Sequence, residues 1–373
     1  MNKVFLSGYY GEKNTGDDAL LLCSLWGCSR FLGSNNICAT TLPLPLPVLQ
    51  KKQAFKPIFQ YDETARNINL LSLYYNALTS NYMVFGGGSV FHSTDKMTRD
   101  CDLIDLNRGD RAIAVGVSFG PFRDSAAEMT CKRLLDKFEY VGCRDRESIE
   151  LIQSLAPHII AEKTFDLAPI LFKMLNLNYN KWDQKPRRGL GLALCHYERY
   201  INADKNIEKT RFNKLVTVLN QLSVFDIEEI VLIDFNGHPI FGDSDIHKEI
   251  IEQVKCNIPI KHISYHANPI YALNQIANLK GLVGMRLHSA IFGYLTKTPT
   301  IIFSYHSKCL GWAEQIGASP NFIIDSTKFE EEELLKCIID IYSQNYEYPK
   351  LEISEAEKLA LQNWEGAKCA LSL

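Results

Sequence analysis

The sequence predicts an α/β protein of two Rossmann-like, doubly wound lobes facing a central cleft, with a C-terminal helix packing back on the first lobe. Three observations carry this expectation. Short β-branched or aromatic runs that end in glycine or polar turns alternate with longer segments of helical spacing. Such alternation predicts parallel sheets covered by helices on both faces. The alternation stops at a polar stretch, NLNYNKWDQKPRR at 176–188, and then starts again. The length of 373 residues also exceeds the ~150 usual for one domain. The expected boundaries are 1–175 for the first lobe, 188–345 for the second and 351–373 for the returning helix.

In the first lobe VFLSGYY, NICATTL, YMVFGGG, AIAVGVSFG and YVGCR read as strands. Helical spacing covers 17–31, 94–107, 124–138 and 147–155, with Asp17 and Ser125 suited to a first turn or N-cap. TLPLPLPVLQKKQ at 41–53 has three prolines at spacing two, which predicts an extended surface segment rather than a helix. The second series runs GLGLALCHY, a helix at 210–221, EIVLIDFNG, a helix at 246–255, IKHIS, a helix at 269–279 and GLVGM. It continues with the RLHSAIFGYL helix, TPTIIFSY, a helix at 307–316, NFIIDS, and closing helices at 329–342 and 354–370.

Composition removes several classes of function. Apolar residues make up 46% and charged residues 22%, an ordinary globular balance. Forty basic against forty-three acidic residues leave a formal charge of −3, so no global basic field would recruit nucleic acid. The longest apolar runs, such as 19–23 and the glycine-interrupted 290–295, fall far short of the ~18 residues that cross a bilayer. The N-terminus reads as a first strand rather than a signal peptide. Eleven cysteines without a CxxC pair fit a reducing cytoplasm and buried thiols, and no metal site is expected.

Four motifs can carry chemistry. GYYGEKNTGDDAL places Gly8, Gly11 and Gly16 between a strand and a helix, where backbone can approach a ligand and the helix N-terminus favours anions. The spacing is neither the dinucleotide G-x-G-x-x-G nor a P-loop, and no Asp or Glu occurs between Ala19 and Tyr61 to hold a ribose. A plain tight turn is the alternative, and Gly11, Asn14 and Gly16 are the candidate lining residues. FGGGSVFHS places Gly87 and Gly88 in a loop after a strand, with His92 just beyond. VGCRDRESIELI ends a strand at Arg144, which is either a salt-bridged residue or an anion clamp pointing into the cleft.

The fourth motif spans Gly281 to Gly317. Arg286, Leu287 and His288 occupy a strand end and the first helical residues, where unpaired N–H groups and the helix dipole add to a guanidinium and an imidazole. Tyr305, His306, Ser307 and Lys308 repeat the arrangement at the next strand end. Cations at two neighbouring turns point to a multiply charged anion bearing carboxylate or phosphate. Asp234, His238, His262 and His266 suggest loop roles only.

These pieces resemble the polysaccharide pyruvyl transferase family. GYYGEKNTGDDAL, FGGG, RDRES, FDLAP and MRLHSAIFGYL followed by TPTIIFSYHSK occur in that family's order across nearly the whole chain. The resemblance implies a GT-B-like build and transfer of pyruvyl from phosphoenolpyruvate to sugar hydroxyls, forming a cyclic ketal. It places phosphoenolpyruvate contacts on Arg286, Leu287 and His288 and maps the RD-x-x-S arginine to Arg144. It implies no metal and no cofactor besides phosphoenolpyruvate as co-substrate. Two positions differ from the usual pattern, Cys195-His196 at the first second-lobe strand end and His306 after Tyr305.

On this reading Arg286 and Arg144 hold carboxylate and phosphate, Lys308 and His92 add to the donor site, and His288 is the general acid. Asp17 is a candidate base, and Gly87, Gly88 and Tyr305 line the acceptor side. The expected acceptor is a polysaccharide or its lipid-linked precursor at the inner membrane face of a cytoplasmic enzyme, with a nucleotide sugar as an alternative. Lys51, Lys52 and Lys56 read as a solvated loop before they read as a contact to anionic lipid. A GT-B glycosyltransferase using a nucleotide sugar would share the cationic turns, but the next acidic residue after the RLH triplet is Glu314, too far on for a ribose carboxylate. A non-catalytic sugar- or anion-binding relative is the other alternative.

Overall fold

The structure is a computed structural model that describes residues 3–39, 63–107, 111–122, 124–182, 186–201 and 203–372. The proline-spaced segment at 41–53, with Lys51, Lys52 and Lys56, lies outside the described residues. The chain divides into two compact units, one of residues 1–12, 17–177 and 354–373 and one of residues 13–16 and 178–353.

The first unit carries β1 (Lys3–Ser7), α1 (Thr15–Phe31), β2 (Asn36–Ala39), α2 (Glu63–Leu78), β3 (Tyr82–Phe91) and α3 (Thr94–Leu106). It continues through β4 (Ala112–Phe119), α4 (Ser125–Leu135), β5 (Phe138–Cys143), α5 (Arg146–Leu155), β6 (Ala161–Lys163) and α6 (Ile170–Leu175). The strands form one parallel sheet in the order β2-β1-β3-β4-β5-β6. Every residue of β4 is buried, as a parallel strand covered on both faces requires. Phe85, Phe91, Phe119 and Phe138 form an aromatic core on one face.

One expectation about this unit is overturned. The strand starting at Tyr82 does not end at Phe85, and Gly87 and Gly88 do not form a loop, because β3 runs through all three glycines to Phe91. The reason is helix–strand packing. A Cβ on Gly86 would strike Ser24 and Tyr10, and one on Gly87 would strike Leu20 of α1. Gly87 and Gly88 take φ of +64° and +90°, and the register shifts after Gly88.

The second unit carries β7 (Leu190–Ala193), α7 (Tyr197–Tyr200), α8 (Lys205–Gln221), β8 (Ile230–Ile233), α9 (Ser244–Gln253), β9 (Ile260–Ile263) and α10 (Pro269–Ala277). There follow β10 (Gly281–Gly284), α11 (Leu287–Leu295), β11 (Thr300–Ser304), α12 (Ser307–Ile316), β12 (Ile323–Asp325) and α13 (Glu331–Tyr342). Its parallel sheet has the order β12-β11-β10-β7-β8-β9. α11 is buried from Ser289 to Leu295, which explains its continuous apolar sequence.

The last helix, α14 (Ile353–Ala370), belongs from Ser354 onward to the first unit. Its Trp364 is fully buried against Gly27 of α1, where a Cβ would enter the indole, and stacks on Phe31 at 6.3 Å. Asn363 accepts the Gly116 N–H and the Thr164 hydroxyl at 2.7 Å each and donates to the Phe165 carbonyl. Both units are thus Rossmann-like, and the strand order reverses between β1 and β3 in the first and between β7 and β10 in the second. In open α/β sheets ligands bind beyond the carboxyl ends of strands at such reversals.

Candidate functional site

In the second unit Arg286 stands at the reversal. Met285 and Arg286 both donate their backbone N–H to the Ala193 carbonyl, at 3.0 and 3.2 Å, which ties the end of β10 to the end of β7. Arg286 occupies the N-cap of α11 without a side-chain cap, so its guanidinium is directed elsewhere. Its Nε and Nη2 donate to Oδ1 of Asp243, at 3.1 and 2.5 Å, and that aspartate is wholly buried. Burial alone would weaken the arginine's charge, but Asp243 outweighs it and raises the Arg286 pKa above its ordinary value. Cys195 and Tyr305 also feel this charge. Burial pushes the Cys195 thiol up to about 12 and the Tyr305 phenol well above its usual value. Tyr305 packs on Tyr197 with ring centroids 4.4 Å apart.

The glycine turn of the N-terminal motif joins this unit. Thr15 donates to the Phe235 carbonyl and Gly237 to the Lys13 carbonyl, both at 2.8 Å, and Asn14 pairs with Asn236 in an antiparallel bridge. Asn14 Oδ1 accepts the Gly16 N–H at 3.0 Å. A Cβ on Gly16 would fall on the His288 imidazole, so the glycine lets the ring lie against the turn. Asn14, Gly16, Arg286, His288 and Tyr305, chosen from separate motifs, therefore meet in one unit, with Leu287 between Arg286 and His288 at the start of α11. Lys308 lies in the first turn of α12, the next helix. His306 caps that helix through Nδ1, which accepts the Lys308 N–H at 3.2 Å, and burial with the Lys308 charge lowers its pKa. His196, at the end of β7, faces Glu208 at 2.8 Å and Glu249 at 3.6 Å.

The remaining candidates belong to the first unit. Gly11 takes a φ of +74°. Asp17 lies in the first turn of α1, its Oδ1 3.7 Å from where a Gly88 Cβ would stand. His92 stacks on Tyr9 at 6.2 Å, and Lys96 sits 3.9 Å from the centroid of the same ring while donating to the Val90 carbonyl at 3.1 Å. Burial lowers the Lys96 pKa to about 8 and raises that of Asp100 to about 6.

Arg144 also belongs to the first unit. It is only 8% exposed, which fits the salt-bridged of its two readings. Nη1 is paired with Oδ2 of Asp166 at 2.8 Å, Nε donates to Ser118 at 2.8 Å and Nη2 to Ser89 at 3.0 Å. The FDLAP segment thus supplies the charge that satisfies the RDRES arginine.

His262 is likewise not in a loop, since it lies on β9. Asp234 Oδ1 is bonded to His247 Nδ1 at 2.6 Å and His262 Nε2 at 2.8 Å, and the three ligand atoms lie within 4.8 Å of one another. The Leu194 N–H points at His247 Nε2, at 3.4 Å. That contact leaves Nδ1 as the protonated nitrogen, so the cluster fits a hydrogen-bond network better than metal ligation. Burial opposes the Asp234 charge, but the two histidines hold its pKa below the usual carboxylate value. Asp243, Asp166, His247 and Lys96 were not singled out from sequence. Of these only Asp166 had a signal, its place in FDLAP.

No helix among the described residues is long and apolar enough to cross a membrane. The fold is shared with Alr3699/HepE of Anabaena in complex with UDP-glucose, at TM-score 0.57, 12% identity and full coverage of both chains. A protein of Listeria monocytogenes assigned as a UDP-N-acetylglucosamine 2-epimerase matches at TM-score 0.60 and 9% identity, covering 96% of this chain and 91% of the other. WaaG, a glycosyltransferase involved in lipopolysaccharide biosynthesis, matches at TM-score 0.50 and 11% identity, covering 98% and 94%. These likenesses give a two-lobe GT-B fold. No curated protein matches the sequence. A sequence model of one family, polysaccharide pyruvyl transferase, matches residues 14–307, which takes in β2 to β11, Asn14 and Gly16 of the glycine turn and the RLH triplet. The chain belongs to the polysaccharide pyruvyl transferase family.

Proposed function

We propose that this protein transfers pyruvyl from phosphoenolpyruvate to hydroxyls of a polysaccharide or of its lipid-linked precursor, with phosphate as the leaving group. The observation that carries the proposal is the RLH triplet at the β7/β10 reversal, with the Arg286 guanidinium fixed by Asp243 and the His288 ring laid against Gly16. In this reading Arg286 and the N-terminal amides of α11 hold carboxylate or phosphate oxygens, and Lys308 with α12 adds a second cationic turn. His288 gives a proton to the methylene carbon as a sugar hydroxyl adds to the central carbon, and the hydroxyl proton restores the imidazole. Phosphate leaves, and a second hydroxyl of the same sugar closes the ketal, its proton departing with phosphate. No cofactor besides phosphoenolpyruvate enters these steps. In this proposal Asp17 takes the second hydroxyl's proton and passes it to the departing phosphate, and the enzyme is cytoplasmic with an acceptor at the membrane face.

Thermal unfolding with phosphoenolpyruvate, and separately with UDP- and GDP-sugars, tests the donor. A ligand at ~100 times its dissociation constant stabilises by ~2.7 kcal/mol, several degrees for this size. Stabilisation by phosphoenolpyruvate that is absent in Arg286→Ala is the expected result. Stabilisation by a nucleotide sugar alone would replace pyruvyl transfer with glycosyl transfer.

A further inference from the structure

The buried Asp243 carboxylate divides its two oxygens between two tasks. Oδ1 takes both donors from Arg286, and Oδ2 accepts the N–H groups of Phe235 and Asn236 at 2.9 and 2.8 Å. The Asp243 N–H closes the same loop by donating to the Asn236 carbonyl at 2.8 Å. Phe235 and Asn236 are the residues that receive the 13–16 turn, through Thr15 to the Phe235 carbonyl and the Asn14 bridge to Asn236. His288 rests on Gly16 of that turn. One carboxylate therefore sets the direction of the guanidinium and, through the loop, the wall behind the imidazole. Four donors converging on it fix its position, and Asp243 uses only part of the arginine's donor set, leaving the fork able to meet a second anion.

We infer that Asp243 is a positioning residue for donor binding, acting on Arg286 directly and on His288 through the 235–237 loop and the Lys13–Gly16 turn. The inference rests on the reading of Arg286 and His288 as phosphoenolpyruvate-binding residues. It predicts that the worth of Asp243 to the ligand depends on which residue stands at 286. A purely structural aspartate would lower stability without that dependence.

The test is calorimetric titration of phosphoenolpyruvate into wild type, Asp243→Asn, Arg286→Lys and the double variant, with thermal midpoints recorded in parallel. Asparagine keeps the size but offers one oxygen where two are used, so it satisfies either the arginine or the loop amides. The expected loss of affinity in Asp243→Asn is about tenfold or more. In the Arg286→Lys background the same change costs distinctly less, because lysine lacks the fork that Asp243 orients. Should Asp243→Asn not fold, Asp243→Glu, which keeps the charge and displaces it by one methylene, carries the same comparison. Unchanged affinity in the aspartate variant, or losses that simply add, overturns the inference while leaving the donor assignment standing. A wild type that does not bind phosphoenolpyruvate overturns the donor assignment and the inference with it.

Discussion

Replacing Arg144 by alanine separates an arginine that holds the fold from one that holds a ligand. The substitution strands Asp166, 2% exposed, as a buried carboxylate without its cation. Breaking such a pair from one side costs ~3–5 kcal/mol, because the remaining charge stays desolvated. The Ala168 N–H still donates to Asp166 Oδ1 at 2.9 Å, which offsets part of the loss and favours the lower end of that range. At ~2–4 °C per kcal/mol for a unit of this size, a loss of about 3 kcal/mol lowers the thermal midpoint by roughly 6–12 °C. Urea unfolding of Arg144→Ala checks the value. Arg144→Met combined with Asp166→Leu is expected to recover most of it, since a buried pair replaced on both sides is often neutral. Unfolding of Arg144→Ala within ~0.5 kcal/mol of wild type, together with lost phosphoenolpyruvate binding, would refute this reasoning and restore the anion-clamp role.

Asn363→Ala leaves the buried Gly116 N–H and Phe165 carbonyl without their partner. At ~1–3 kcal/mol for each of these two hydrogen-bonding groups the expected loss is about 2–6 kcal/mol, read by urea denaturation. Gly16→Ala drives a methyl into the His288 ring, costing ~1–3 kcal/mol and weakening phosphoenolpyruvate binding in the same titration. Lys96 supplies a pH signature. Its folded pKa of about 8 lies below the unfolded value of 10.5, so between these the unfolded state binds the extra proton. Stability then rises with pH across that window, and Lys96→Met is expected to flatten the rise in chemical denaturation from pH 7.5 to 10.5.

Much of the fold was legible because parallel strands buried on both faces are written as short continuous apolar runs, and turns as glycine or polar breaks. α12 spans the residues expected from spacing, and β4 differs at its end by the single residue Gly120. α2 escaped notice, since its Leu71 and Tyr75 are exposed and blur the apolar stripe. The glycine triplet misled because glycine serves equally in a loop and in a strand pressed against a helix. At the site, Arg286 and His288 were legible from their place at a strand-to-helix turn. Asp243 was not, because its partner lies 43 residues away and only the sheet order brings them together. Arg144 was read as either salt-bridged or an anion clamp, and spacing could not show that Asp166 already pairs with it.

The most direct test of the central claim is a crystal structure of the protein soaked with phosphoenolpyruvate. The account predicts ligand density against the Arg286 guanidinium and the first amides of α11, with the central carbon's methylene within reach of His288 and the Arg286–Asp243 pair intact. Density at Arg144 instead, or a site that takes up UDP-glucose under the same conditions and leaves phosphoenolpyruvate in solution, would contradict it.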